Sequence, residues 1–380
     1  MFNRCFALPL GQLCGLLRSP VIFGLMIFSI VAPSLKAADS TNSAKLDTQF
    51  AVAGDTATGW KNLLASAPTE LRPSLVFLLE NMPEQDLKSL KPEFILKNVR
   101  LAHEARKATP WASAVPLELF HEQVLPYASI NERRDDWRED FMNRFLPMVK
   151  ELKSAEDAVA KLNIEVFKTF DVKYHATKRP KPDQSPFESI EAKFASCTGL
   201  SILLIDACRA VGIPARFVGT PSWTTVRGNH SWVEVFTNQW RFVGACEPSR
   251  LDETWFLGNA AKADESKPMN RIYATSYLKT QTHFPLIWNR ELKWIAAEDV
   301  TRWYTKRRML KVASADADGQ KSLQIRLDGR LVAASPLEKN MEFDLAGGRS
   351  YEWQLVDGSG KIARSGKLEM PDSNSQLKID

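Results

Sequence analysis

The 380-residue sequence predicts an α+β fold, with helices first and antiparallel strands after them. A buried helix is indicated from Leu200 onward, where apolar residues recur at i, i+3, i+4, i+7, i+8 and i+11. The segments 231–236 and 240–243 flank a short polar turn, which predicts a β-hairpin. From residue 321 onward, short alternating segments end in glycine-containing turns and predict a small β-sandwich.

Helices are expected to dominate the chain before this hairpin. Trp137, Phe141 and Phe145 fall at i, i+4 and i+8, which places three aromatic rings on one helix face. The predicted segments, in chain order, are a flexible lead-in at 38–58, a helical region at 59–150, a mixed core with its extension at 151–304 and an accessory β-sandwich at 305–380.

The first 37 residues have the pattern of a secretory signal peptide. Arg4 and Arg18 precede a short apolar run at 21–33, and small residues around Ala37 suit cleavage there. The run is short for a transmembrane helix, which needs roughly 20 residues. We therefore expect a secreted or periplasmic protein, with an uncleaved anchor as the alternative. No later stretch is long and apolar enough to predict a membrane span after cleavage.

The charge balance argues against a nucleic-acid partner. The chain has 50 Lys and Arg against 45 Asp and Glu. Three of the basic residues lie in the first 37 residues, which hold no acidic one, so the rest is nearly neutral. A protein that neutralises phosphates needs a basic surface, which this composition does not predict. The apolar fraction of 44% is ordinary for a globular protein and excludes wholesale disorder.

Three cysteines remain once the leader is removed: Cys197, Cys208 and Cys246. An odd number in an oxidising compartment indicates either an intermolecular link or a free reactive thiol. Cys208 lies on the apolar helix face, which is typical of core packing or of a disulfide. A disulfide between Cys208 and Cys246 would leave Cys197 free.

Cys197 stands where a proline-rich loop ends and the buried helix begins. A thiol there faces unpaired backbone N–H groups and the positive end of the helix dipole, which favour the thiolate. A cysteine nucleophile also needs a base within hydrogen-bond reach. Of the five histidines, His230 is the best candidate, because it opens the strand that can lie across from the helix start.

A third group would orient the imidazole in such a site. Glu234 shares a strand with His230, but four residues of extended chain separate them by about 13 Å, which excludes it. The partner strand leads to Glu247, which Pro248 restricts to extended geometry. Glu247 is therefore the expected third member, and Asp252 is the fallback.

Other chemistries find little support in the sequence. No HExxH motif or CxxC pair is present, so neither a metal site nor another cofactor is predicted. The Gly199–Leu203 segment lacks the second glycine of a serine-hydrolase nucleophile elbow. Glycine-rich phosphate-binding loops are also missing from the sequence.

Three motifs together resemble the core of the transglutaminase-like superfamily. They are the helix-start Cys197, the segment Cys-Arg-Ala-Val-Gly-Ile-Pro-Ala-Arg at 208–216 and the segment His-Ser-Trp-Val-Glu-Val at 230–235. The resemblance covers roughly residues 150–260 and implies a papain-like core. The family normally has an aspartate just after the tryptophan strand, and Glu247 takes that place here.

The resemblance implies acyl-transfer chemistry on an amide bond. Cys197 would attack the carbonyl, His230 would protonate the leaving amine, and a thioester would form. Water would then give hydrolysis, as in an amidase or peptidase, whereas a lysine amine would give a crosslink. The implied partner is a peptide, protein or glycopeptide substrate.

Tryptophans near the motifs are candidates for a substrate groove. They are Trp223, Trp232 and Trp240. Trp232 belongs to the motif itself, whereas for the other two plain core packing is favoured over a groove. The alternative function is a non-catalytic peptide- or glycan-binding protein that keeps the same fold, since fold does not fix function. The Cys197–His230 pair favours the enzyme, because a binding module has no need of a helix-tip thiol beside a histidine.

Overall fold

The computed structural model describes the backbone of residues 35–379 and the side chains of residues 44–379. The predicted leader at 1–37 therefore lies outside the described residues, except for its last three, which begin the first helix. Residues 43–380 form one compact unit. Within the described part of the chain, no helix is both long and apolar enough to cross a membrane.

Short helices make up the chain as far as residue 170. They bury a core around Trp60 and Leu75, and a second core receives Phe141 and Phe145 of the predicted aromatic stripe. The helices are α1 (Leu35–Ala53), α2 (Ala57–Ser66), α3 (Arg72–Asn81), α4 (Glu84–Ser89), α5 (Pro92–Lys107), α6 (Pro110–Ser113), α7 (Leu117–Leu119), α8 (Arg138–Val149) and α9 (Ala155–Phe170), with a 3₁₀ turn at Gly54–Thr56 and a π turn at Phe120–Val124.

Local capping fixes where α9 begins. Ser154 Oγ accepts a hydrogen bond from the backbone N–H of Asp157 and donates one to its carboxylate, at 3.1 and 2.7 Å. A side-chain oxygen at this position satisfies an N–H group that has no partner within the helix. The opposite end closes at Asp171, whose left-handed φ of 52° stops the helix.

A six-stranded antiparallel sheet follows, in the order β5-β4-β3-β6-β8-β7. The buried helix α11 packs against β4 and β3, and Gly212 ends it with a φ of +88°. The remaining helices and the strands before the sandwich are β1 (Lys173–Tyr174), α10 (Pro186–Ala192), β2 (Phe194–Ala195), α11 (Cys197–Ala210), β3 (Ala215–Thr220), β4 (His230–Phe236), β5 (Trp240–Val243), α12 (Leu257–Ala260), β6 (Tyr273–Thr275), β7 (Thr282–His283), β8 (Ala296–Asp299) and α13 (Thr301–Thr305), with a 3₁₀ turn at Pro268–Asn270. Helices and an antiparallel sheet confirm the predicted α+β class.

Two further sheets form a β-sandwich. A four-stranded sheet, β11-β10-β13-β14, and a three-stranded sheet, β12-β9-β15, bury one core between them. The turn at Asp328 and Gly329 has positive φ at both residues, which the tight β10–β11 hairpin requires. The strands are β9 (Arg307–Ser314), β10 (Ser322–Leu327), β11 (Arg330–Pro336), β12 (Asn340–Ala346), β13 (Arg349–Val356), β14 (Ile362–Met370) and β15 (Ser375–Ile379).

The β4–β5 turn is bonded to this sandwich. Asn238 accepts a hydrogen bond from the backbone N–H of Ala334 at 2.6 Å. Gln239 accepts one from the N–H of Asp344 at 2.8 Å. Leu331 of β11 is buried in the same core as the early helices. The sandwich is therefore packed against both the sheet and the helical region.

Candidate active site

Cys197 is the first residue of α11, as the sequence predicts. The preceding residue, Ser196, does not cap the helix with its side chain, because its hydroxyl donates to Pro182 O at 3.2 Å instead. The first N–H groups of α11 therefore lack a side-chain cap beside the thiol. Unpaired N–H groups and the positive end of the helix dipole favour negative charge at this position.

The start of β4 lies against this helix end. Ser231 Oγ donates a hydrogen bond to Cys197 Sγ at 3.4 Å and lies 3.1 Å from Thr198 Oγ1. Ser231 follows His230 directly, so the thiol and the imidazole belong to neighbouring elements. Among the contacts of the described residues, no hydrogen bond joins Cys197 Sγ to the ring of His230.

Aromatic rings surround the imidazole of His230. Its ring centroid lies 4.9 Å from Trp255 and from Phe256, 5.9 Å from Trp232 and 6.2 Å from Trp223. Its Nε2 atom is buried without a hydrogen-bond partner. Burial lowers the pKa of His230 from 6.5 to about 4, so the imidazole is neutral at pH 7. A neutral ring with a free nitrogen can accept a proton.

Glu247 does not bind His230. Its Oε1 atom accepts a hydrogen bond from the indole N–H of Trp255 at 2.8 Å. Burial raises the pKa of the Glu247 carboxyl, and the bond from Trp255 lowers it by less. Burial lowers the pKa of His230, and among the hydrogen bonds of the described residues none joins Glu247 to that ring. The contact expected for the third member of a triad is not formed in this structure.

The loop that carries Glu247 is held by Asn163 of α9. The Asn163 amide donates to the carbonyl oxygens of Gly244 and Glu247, both at 2.9 Å. Its oxygen accepts from the N–H of Cys246 at 2.9 Å. A Cβ atom at Gly244 would collide with the Glu247 carboxylate, so a larger residue there would force that carboxylate to move. The position of Glu247 is therefore determined by its loop.

Asp252, the fallback third member, has a structural role instead. Its Oδ2 atom pairs with Arg241 and with Arg307, the latter at 2.6 Å. Its Oδ1 atom accepts from the backbone N–H of Phe242 at 2.9 Å. Both oxygens are engaged in holding β5 against β9, so the expectation that Asp252 orients the imidazole is wrong for this structure.

The disulfide considered between Cys208 and Cys246 is absent, since both are free thiols. Cys208 is fully buried in the core beneath α11, where burial raises its pKa to about 12. Cys246 is half-buried, and burial raises its pKa as well. Cys197 and Cys246 are both partly exposed, but only Cys197 occupies a helix start, so it is the cysteine with the surroundings of a nucleophile.

The three tryptophans expected to line a groove do not line a common one, although Trp240 lines a separate cavity together with Arg216 and Arg330. Trp232 is fully buried, and Trp223 is only 7% exposed and stacks on it at 6.1 Å. Both rings pack against the imidazole of His230. Trp240 packs against Phe236 and under the guanidinium of Arg216. It is the first residue of β5 and pairs with Phe236 at the far end of β4, about 20 Å along that strand from His230.

A buried hydrogen-bonded chain continues from Trp232. Its indole N–H donates to Tyr304 Oη at 2.8 Å, and that hydroxyl donates to Glu234 Oε1 at 2.6 Å. The other oxygen of Glu234 pairs with Arg216 at 2.7 Å. Arg216 also pairs with Glu298 at 3.1 Å. Glu234 is therefore part of the scaffold behind the site, in agreement with its exclusion as the imidazole partner.

Four residues of the site were not found by sequence reasoning: Ser231, Trp255, Phe256 and Tyr304. Ser231 carries a signal, because it lies between two residues of the histidine motif. The other three lie in segments without regular alternation, and Tyr304 is 72 residues from its partner Trp232. Their positions follow from tertiary packing rather than from any local pattern.

The partly buried imidazole of His230 predicts a loss of stability at acid pH. The pKa of His230 is about 4 in the folded protein and 6.5 when unperturbed, so the unfolded chain binds more protons between these values. The free energy of unfolding should therefore decrease as the pH falls from 6.5 to 4. Urea unfolding across this range measures it. His230→Gln should flatten the curve in part, since burial lowers the pKa of His121 to about 4 as well. A curve of unchanged slope in that variant would contradict the prediction.

Comparison with known protein families matches residues 146–245 to the transglutaminase-like superfamily. This range contains Cys197 and His230, and it ends two residues before Glu247. No curated protein matches the chain significantly. Among solved structures, the chain is similar to a "putative cysteine protease from Cytophaga hutchinsonii" at 17% identity and a TM-score of 0.29. The similarity covers 38% of this chain and 48% of the other, so the chain spans about half the length of that structure.

Proposed function

We propose that this chain, whose residues 146–245 form a transglutaminase-like domain, is a cysteine-dependent enzyme that transfers the acyl group of an amide. One observation carries the proposal. A half-exposed thiol at the start of α11 touches Ser231, the neighbour of a partly buried imidazole whose Nε2 atom has no hydrogen-bond partner. A nucleophile and a base on adjoining elements are what this chemistry requires.

The chemistry needs two steps. His230 takes the proton of Cys197, whose sulfur attacks the amide carbon, and the first N–H groups of α11 face the developing oxyanion. His230 then gives the proton to the leaving nitrogen, the C–N bond breaks and a thioester remains. Water attacks the thioester in turn, which releases a carboxylic acid and restores the thiol. An amine in place of water would give a new amide.

The substrate proposed is a peptide, protein or glycopeptide. The proposed chemistry itself requires only an amide carbonyl that can reach Cys197. Hydrolysis and crosslinking differ solely in the acceptor that reaches the thioester. A panel of glutamine peptides, cell-wall stem peptides and glycopeptides, assayed with and without a lysine-like amine, separates these outcomes by the mass of the product.

The leader pattern at 1–37 supports action outside the cytoplasm, in the periplasm or beyond the cell. The charged residues before the apolar run and the small residues after it suit processing near Ala37. The amino-terminal residue of the protein recovered from the expressing cell tests this. A mature chain that begins near residue 38 supports cleaved secretion, whereas a chain that begins at Met1 contradicts cleavage and favours the uncleaved anchor.

Alkylation of the three thiols tests the enzymatic proposal directly. We expect iodoacetamide to label Cys197 at pH 7 at least about tenfold faster than Cys246, and Cys208 to react only on unfolding, since burial disfavours the thiolate at the latter two. Intact mass and peptide mapping give the three rates within one sample. Equal rates at Cys197 and Cys246 would contradict the nucleophile, and the non-catalytic binding protein would then be favoured.

A further inference from the structure

The imidazole of His230 is held by packing rather than by a hydrogen bond. Four aromatic rings enclose it, and three of them, Trp223, Trp232 and Phe256, are buried. Buried rings in a packed core have fixed orientations. The orientations of these three rings are therefore fixed by packing alone.

The fourth ring, that of Trp255, is different because this residue is 63% exposed. An exposed aromatic ring keeps rotamer freedom unless a specific contact removes it. The contact here is the hydrogen bond from the indole N–H to Glu247 Oε1, at 2.8 Å. With this bond in place, the ring centroid lies 4.9 Å from that of His230 at an angle of 52°.

Glu247 is a suitable anchor for this ring. Its loop is fixed by the three hydrogen bonds of Asn163, a side chain that is almost fully buried. The anchoring contact needs an acceptor oxygen but does not need a negative charge. A carboxylate that oriented the imidazole directly would instead act through its charge and would raise the pKa of the ring.

We propose that Glu247 and Trp255 are positioning residues, in which Glu247 acts on His230 through the indole of Trp255 and not as a carboxylate on the imidazole. The inference rests on the proposed function, because it concerns the base of the Cys197–His230 pair. Glu247 fixes the exposed indole, the indole completes the aromatic enclosure, and the enclosure sets the direction in which the ring nitrogens of His230 point.

The two roles of Glu247 predict different results for a neutral isostere. Glu247→Gln keeps an oxygen that accepts from the indole but removes the charge. Glu247→Ala removes both, and Trp255→Phe keeps a ring but removes the N–H donor. Trp294→Phe is the matched control, since Trp294 is also a partly exposed tryptophan and packs against Arg134 away from His230.

The measurement is the rate of Cys197 alkylation by iodoacetamide from pH 5 to 9 in the full chain, with thermal unfolding of each variant. Glu247→Gln and Trp294→Phe should keep the pH profile and at least about half of the wild-type rate. Glu247→Ala and Trp255→Phe should each lower the alkylation rate at pH 7 by roughly tenfold. This loss is somewhat smaller than the full contribution of one charge-assisted hydrogen bond, because the bond acts on His230 only through the indole. The double variant Glu247→Ala/Trp255→Phe should fall no further, because both changes break the same contact.

Three results would overturn the proposal. The alkylation rate of Glu247→Gln falls as far as that of Glu247→Ala only if the charge acts on the imidazole, so an equal loss in both would restore the direct triad. Wild-type rates in Glu247→Ala and Trp255→Phe would remove any role for the pair, and additive losses in the double variant would separate the two residues. If Cys197 of the wild-type protein reacts no faster than Cys246, the proposed function itself fails. The wild-type pH profile detects this failure without any variant, so the two failures are distinguishable.

Discussion

Replacement of His230 by alanine is expected to lower the turnover of any amide substrate by about 10²–10⁴-fold, the range that general acid–base catalysis contributes. The imidazole is neutral at pH 7 and its Nε2 atom has no partner, so it can take the proton from Cys197 and pass it to the leaving nitrogen. Without it, both proton transfers depend on water. The turnover number on whichever peptide of the panel is cleaved measures the loss.

His283→Ala is the matched control for this variant. His283 lies on β7 of the same sheet and contributes no group to the enclosure around His230. It should retain the wild-type turnover. Circular dichroism and thermal unfolding verify that His230→Ala is folded, because the loss of a buried ring also costs stability. A folded His230→Ala protein that keeps more than about a tenth of the turnover would contradict the role of general base.

Replacement of Glu234 by alanine is expected to lower the free energy of unfolding by about 3–5 kcal/mol, the cost of leaving one member of a buried ion pair without its partner. The side chains of Arg216 and Glu234 are only 5% and 4% exposed. The variant leaves the Arg216 charge with Glu298 alone and takes the acceptor away from the Tyr304 hydroxyl. Denaturant unfolding, monitored by tryptophan fluorescence, measures the change.

A double variant separates the cost of the unpaired charge from the loss of packing. Arg216→Met/Glu234→Leu removes both charges and fills much of the same volume, and such replacements are often close to neutral. It should therefore be more stable than Glu234→Ala. A Glu234→Ala protein destabilised by less than about 1 kcal/mol, the cost typical of a surface pair, would contradict the buried role of this pair.

The elements that position Cys197 and His230 could be predicted because their patterns are local. The apolar repeat from Leu200 requires a helix that is buried on one face, and it places Cys197 at the start of that helix. The hairpin turn between β4 and β5 fixes which strand pairs with which. Distance along an extended strand also excluded Glu234 correctly, since four residues cannot be folded back within a strand.

The surroundings of the imidazole could not be predicted from the same patterns. The Glu247–Trp255 bond joins two residues of an irregular loop, where neither a helical nor a strand period constrains the side chains. The sequence places Glu247 after the tryptophan strand, but it does not say where the carboxylate points. Asp252 likewise follows β5, and its two arginine partners, one of which is on β9, decide its role.

The bonds between the β4–β5 turn and the sandwich limit how this protein can change over evolutionary time. The backbone N–H group of Ala334 donates to the backbone carbonyl of Asn238, and that of Asp344 donates to the side-chain oxygen of Gln239. A recombination event that exchanged the sandwich for an unrelated module would leave these groups, and the apolar side chain of Leu331, without matching surfaces. Gln239, whose side-chain oxygen is an acceptor here, and Leu331 are therefore the residues whose replacement would have to be matched by a change on the opposite surface.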